Sequence, residues 1–106
     1  MTVFAKRLKQ ARLRLKLTQE NLGLEAGMET SSASARINQY EKGKHTPDFE
    51  TAECLAKVLR VPAEFFYCRS ETMAQLVLMF DLLDVHERQQ ALDTVRAMTG
   101  LHTKLP

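Results

Sequence analysis

The chain has 106 residues, 44% of them hydrophobic, with 15 Lys/Arg against 13 Asp/Glu and a formal net charge of +2. This balance fits a globular domain with a single core and excludes disordered and collagen-like chains; no apolar run approaches the roughly 18 residues needed to span a bilayer. Charges begin at Lys6 and Arg7, so the amino terminus has no hydrophobic signal-peptide centre, and a cytoplasmic protein without a membrane partner is expected.

In chain order, Phe4, Leu8, Ala11 and Leu15 recur at near-helical spacing between Val3 and Leu17. Lys6, Arg7, Lys9, Arg12, Arg14 and Lys16 interleave with them, which predicts an amphipathic first helix with a basic side. Thr18 offers a hydroxyl to cap a second helix over 18–26, and Ala26-Gly27 stops it where glycine tolerates a left-handed turn. Leu22 and Ala26 face inward in this reading, and Gly23 lets another backbone come close.

A third helix is predicted from about Thr30 to Lys42. Placing Ile37 on the core side puts Ala33, Tyr40 and Glu41 on the same flank. At about 100° per residue, Ser31, Ser32, Ala35, Asn38, Gln39 and Lys42 fall on the other flank, where no large apolar side chain stands. Core packing does not account for that face.

Gly43 ends the third helix, and Asp48 caps a fourth that runs to about Arg60 with Phe49, Ala52, Leu55, Ala56 and Leu59 as its buried stripe. Val61-Pro62 opens a short fifth helix whose aromatics, Phe65, Phe66 and Tyr67, are assigned to closing the core. Beyond Ser70, Met73, Leu76, Val77, Phe80 and Leu83 make one apolar stripe. A break follows at Asp84-Val85-His86, where Asp84 and Glu87 resemble a capping pair, and Leu92, Val95 and Met98 make a second stripe. This is a helical hairpin ending at Gly100, with 101–106 as a frayed tail.

Cys54 and Cys68 stand outside any Cys-x-x-Cys or paired-His spacing, so both are read as reduced packing residues and neither a disulfide nor a metal site is expected. Residues 1–69 carry 12 Lys/Arg against 8 Asp/Glu, a formal +4, whereas residues 70–106 carry 3 against 5, a formal −2. The basic excess therefore lies with the first five helices, where it could neutralise phosphates. No nucleophile–base arrangement, phosphate-cradling glycine loop or paired carboxylates stand out, and His86 and His102 are isolated. A non-enzymatic protein without a cofactor is expected.

Three pieces occur in order: Leu17-Thr18-Gln19-Glu20-x-Leu22 with Ala26-Gly27; Ile37-x-x-Tyr40-Glu41-x-Gly43; and Pro47 followed by Leu55-Ala56-x-x-Leu59-x-Val61-Pro62. Together they make Phe4 to Tyr67 resemble the five-helix domain of the phage repressor and Cro family of helix-turn-helix regulators. The resemblance implies an all-α fold with a DNA-binding domain over 1–69, and the helical hairpin and tail read from the apolar stripes occupy 70–106. Met28-Glu29-Thr30-Ser31-Ser32 is about four residues longer than the family's short turn and helix. Either the third helix gains a turn or the connection becomes a loop; we read it as the longer helix, which leaves the register of Ser31 and Ser32 open.

By the same resemblance, Gln19, Ser34, Ala35 and Gln39 match the family's base-facing positions, and Arg36 and Asn38 flank them. A Gln amide can pair bidentately with adenine, Arg with guanine, and an Ala methyl can meet a thymine methyl. Thr18, Lys42, Lys44 and His45 are candidate phosphate contacts, which would position the protein without reading sequence. Arg12 and Glu41 match an ion pair joining the first helix to the end of the third. The expected partner is double-stranded DNA. Family members commonly bind as two-fold dimers, for which the 70–99 hairpin is the candidate interface unless it folds back onto its own core. The leading expectation is a homodimeric repressor on a palindromic operator; the alternative is an antitoxin-like adaptor that binds DNA only at its own promoter.

Overall fold

A computed structural model of the chain describes residues 2–101. Within them lie six α-helices and no strand: α1 (Val3–Arg14), α2 (Gln19–Glu25), α3 (Ala33–Glu41), α4 (Phe49–Leu59), α5 (Glu71–Asp81) and α6 (Val85–Thr99), with a 3-10 segment, Ala63–Tyr67, between α4 and α5. The part of the predicted tail at 102–106 and His102 lie outside the described residues.

Five of the helices start where a short polar side chain can accept an orphan backbone N–H. Thr2, Thr18, Asp48, Ser70 and Asp84 each take the N–H three residues on, and Glu87 returns the bond to Asp84 in a full capping box. The expected first helix is shorter than its periodicity suggested. It ends at Arg14 because Lys16 takes a left-handed conformation, φ 58°, that turns the chain towards the Thr18 cap.

The third helix also differs from its predicted extent. It begins at Ala33 rather than Thr30, so the extra residues form a turn and not an additional helical turn. Met28 is buried and its N–H reaches Gly23 O at 2.9 Å, which anchors the start of the connection. Glu29 O then accepts from both Ser32 N (3.0 Å) and Ala33 N (2.9 Å), and Ser32 at φ −127° cannot continue a helix backwards.

Leu8, Leu22, Ile37, Leu55, Leu59 and Phe66 are fully buried at the centre of the core. The Phe4 and Phe66 rings meet at 4.9 Å between centroids and close one end. Three sequence assignments are corrected here. Phe49 is 63% exposed at the first position of α4, while Pro47, two residues earlier, is buried. Tyr67 is 51% exposed, touching Phe4 with its ring at 5.8 Å while Phe65 and Phe66 fill the interior. Cys54 is likewise exposed on α4, so only Cys68 is a packing residue.

The tightest approach in the domain is between α2 and α3. A β-carbon built on Gly23 would lie 2.7 Å from Ala33 Cβ and 3.0 Å from the Ala33 backbone. Glycine is required there because two backbones need the same space, not because of its φ.

After the 3-10 segment, α5 rests on the core through buried Ala74 and half-buried Val77 and Leu78. Its Met73, Leu76 and Met79 remain exposed. Helix α6 buries none of its residues, and Leu92, Val95 and Met98 all face solvent. The molecule is accordingly elongated, 52 Å by 26 Å by 24 Å.

Ala is ordinarily the better helix former by about 1 kcal/mol, but the clash with Ala33 reverses the sign at position 23. Gly23→Ala should destabilise the protein by about 1–3 kcal/mol, read as a lowered midpoint in urea unfolding. The double variant Gly23→Ala/Ala33→Gly should recover part of that loss.

Candidate nucleic-acid interface

Of the residues singled out on α2 and α3, Gln19 and Asn38 meet beside one buried carboxylate. Glu41 ends α3 with its side chain 4% exposed, and the Arg12 guanidinium of α1 forks onto it, Nε to Oε2 at 2.6 Å and Nη2 to Oε1 at 2.9 Å. Nη1 of the same arginine donates to Leu17 O at 2.8 Å, so the fork also holds the turn that leads into α2. The Glu41 hydrogen bond, opposed by desolvation, raises the Arg12 pKa above its ordinary value, so the guanidinium keeps its charge.

Gln19 is the third member of this cluster. Its Nε2 lies 3.3 Å from Glu41 Oε1 and 3.3 Å from Asn38 Oδ1, a donor to both. Both amide hydrogens are thereby directed inward, which leaves the Gln19 carbonyl oxygen to accept and the Asn38 NH2 group to donate outward. The buried ion pair thus orients two polar side chains on two different helices.

Along the outer face of α3, Ser34, Ala35 and Gln39 are exposed, and Asn38 is half-buried beside them. Among the described residues no hydrogen bond restrains the Gln39 side chain, so its amide can present donor and acceptor together. Ser31 and Ser32 belong to the turn ahead of α3, where Ser32 Oγ leans on Glu29 O at 3.5 Å. Arg36 lies apart from the others. It donates to the Tyr40 hydroxyl at 3.2 Å and borders a depression with Glu50, Thr51 and Cys54, on the flank of α3 that faces α4.

The Thr18 hydroxyl accepts from Asn21 N at 3.0 Å as the cap of α2, and its own proton is left to donate. Lys42, Lys44 and His45 are exposed beyond the end of α3. Lys42 and Lys44 line an open polar depression of about 550 Å³ together with Arg12, Gln19, Asn38 and Glu41. Lys9 of α1 completes its wall and was not among the candidate contacts. The signal for it was the basic side of α1, which periodicity alone does not relate to a groove two helices away. No buried side-chain nitrogen or oxygen among the described residues lacks a partner, so the ridge carries its unpaired polar groups outward.

Chemically, the arrangement offers a helix face of short polar groups flanked by ammonium groups, a shape and charge that fit a B-DNA major groove and its phosphates. Its stability rests on Glu41. Glu41→Ala should cost about 3–5 kcal/mol in urea unfolding, because it leaves the Arg12 charge buried and unpaired. Replacing both partners, Arg12→Met with Glu41→Leu, should cost less than the single change.

The helix-turn-helix family of Cro/C1 type matches residues 8–66, more than half of the chain. The chain is also similar to a solved structure described as the transcriptional regulator BswR, at 39% identity and a TM-score of 0.79, over 88% of this chain and 92% of that one. A span of that size takes in part of the C-terminal helices as well as the first five elements. Nothing among the curated proteins matches. No helix of the described residues is long and apolar enough to cross a membrane. With the two-helix framework, the polar ridge and these likenesses together, the chain belongs to the Cro/C1-type helix-turn-helix family of DNA-binding transcriptional regulators.

Proposed function

We propose that the protein is a homodimeric repressor that reads a two-fold related operator with α3 and blocks transcription by occupying it. The observation that carries this reading is the exposed polar ridge Ser34-Ala35-Asn38-Gln39, held at a fixed angle by the Arg12–Glu41–Gln19 cluster. Gln39 is the foremost base reader, since its whole amide is available for a bidentate contact with adenine. Gln19 and Asn38 act as a coupled pair, one offering a carbonyl oxygen and the other an NH2 group to adjacent base edges. Ala35 suits a thymine methyl, and Ser34 either a base edge or a phosphate. Arg36 is turned towards Tyr40 and would have to leave that hydroxyl to reach a guanine. Ser31 and Ser32, in the turn ahead of α3, are assigned in this reading to the DNA backbone rather than to bases. Thr18, Lys42, Lys44 and His45, joined by Lys9, supply the phosphate contacts and the salt-dependent part of the affinity.

Two copies are inferred from α6. A helix of 15 residues is marginal by itself in water and takes its stability from a covered apolar face, yet α6 has no buried residue in the single chain. Leu92, Val95 and Met98 repeat at helical spacing, so a two-fold partner would set the same stripe against itself. In this reading α6 supplies the dimer contact within 70–99, while α5 stays packed on the core of the reading domain over 1–69. The adaptor reading requires a different protein on that stripe, and the composition of the purified particle separates the two.

Selection of binding sites from random duplexes at stated salt should return a palindrome. Against it, Gln39→Ala should cost about 1–3 kcal/mol and relax the preference at one base pair of each half-site. Lys42→Ala should weaken all sequences about equally and reduce the slope of log affinity against log salt by roughly one per site. Val95→Asp should give a monomer in sedimentation and a large fall in operator affinity, with half-site binding retained.

A further inference from the structure

The joint between the reading helices and the C-terminal pair is made by a side chain that DNA contact leaves unused. Arg7 of α1 is only 1% exposed, although the lysines nearest to it in sequence, Lys6 and Lys9, are exposed. Its Nε donates to Cys68 O at 2.7 Å and its Nη2 to Arg69 O at 3.1 Å. Nη1 donates to Gln10 Oε1 at 2.9 Å and Glu71 Oε1 at 3.0 Å, and the guanidinium carbon lies 5.8 Å from the Phe65 ring centroid. Lys6 Nζ reaches the same Glu71 oxygen at 2.9 Å.

Three of these four acceptors belong to residues 68–71, the segment that leaves the 3-10 turn and begins α5. A planar guanidinium bonded to two successive carbonyls and to the first residue of the next helix restrains the rotation of that helix, which a single contact would not do. Lys6, then Arg7, lower the pKa of the Glu71 carboxyl by hydrogen bonding to its charged form. Apart from the clamp, α5 is held by small or half-buried apolar groups, and α6 by nothing buried. A buried arginine is a poor means of adding stability, since apolar side chains of similar volume do as well or better, but it is a strong means of fixing direction.

We infer that Arg7, seated on the 68–71 segment, is a positioning residue that sets the angle between the DNA-reading helices and α5–α6, and through it the half-site spacing the protein accepts. A rotation of about 10° carried over about 20 Å moves the far end by roughly 3.5 Å, about one base-pair step along the duplex. The consequence for spacing rests on the dimeric reading above, whereas the angle is a property of one chain.

The test uses the full chain with nitroxide labels on the exposed native Cys54 and on Gln90→Cys, diluted with unlabelled protein so that only distances within one chain are read. The parent should give one narrow distance distribution, and Arg7→Lys and Glu71→Ala should each broaden it about twofold or more. Glu71 is exposed, so Glu71→Ala keeps the measurement decisive if the buried substitution fails to fold. On operators lengthened or shortened by one base pair at the centre, the parent should discriminate about tenfold and Glu71→Ala less than about threefold, with affinity for an isolated half-site unchanged. Unaltered distance distributions in Glu71→Ala overturn the role given to the clamp. A broadened distribution with the parent's spacing preference overturns the link to spacing. A parent protein that sediments as a monomer overturns the dimeric reading, and the distance measurement still decides the clamp.

Discussion

Everything that presents α3 to a ligand depends on how closely it can lie against α2. Gly23 and Ala33 let the two backbones approach until not even a methyl group fits between them, and Leu22 and Ile37 fill the core just beneath. With the crossing fixed by contact, the connection between the helices is free to vary. The five residues from Met28 to Ser32 bulge out as a turn anchored at Met28, and α3 starts where the crossing allows. Close-packed contacts of this kind have one arrangement rather than a continuum, which is what a reading helix needs.

Around that crossing, α1 uses two arginines for two different tasks. Arg12 is paired with a buried carboxylate and, through it, orients Gln19 and Asn38. Arg7 is shared between two backbone carbonyls and the Gln10 and Glu71 side chains, and fastens the start of α5. Neither is an efficient source of stability, because taking a guanidinium out of water offsets most of what its bonds return. Both give direction: a forked donor with fixed geometry determines where its acceptors lie, whereas an aliphatic side chain would leave them able to slide. Lys9, Lys42 and Lys44, by contrast, stay in solvent at the polar depression.

The C-terminal helices follow a different logic. Capping is complete at both starts, and the capping box at Asp84 and Glu87 defines where α6 begins, so their local structure is well specified. Their burial is not: α5 commits one flank to the core and α6 commits none. A helix specified locally and left uncovered in the single chain is the physical ground for proposing a second copy.

Much of this was legible in the sequence because it is local. Capping residues, glycines at positive φ such as Gly27 and Gly43, and the period of Leu8, Leu22, Ile37, Leu55 and Leu59 depend on neighbours within a turn or two, and they predicted all the helices and most of the core. The resemblance to repressors supplied the Arg12–Glu41 pairing, which spans 29 positions and has no local signal. What only the tertiary structure decided lies at a distance in sequence. Arg7 and Lys9 look alike along α1, yet one is buried because its acceptors arrive 61 and more positions later and the other faces a groove. Phe49 is as apolar as Leu55, yet it stands at the first position of α4 with its ring outside while Leu55, further along the helix, is fully buried. The committed amide of Gln19 and the late start of α3 have the same origin: a pattern of residues states which groups want partners, and only packing in three dimensions determines which partners are within reach.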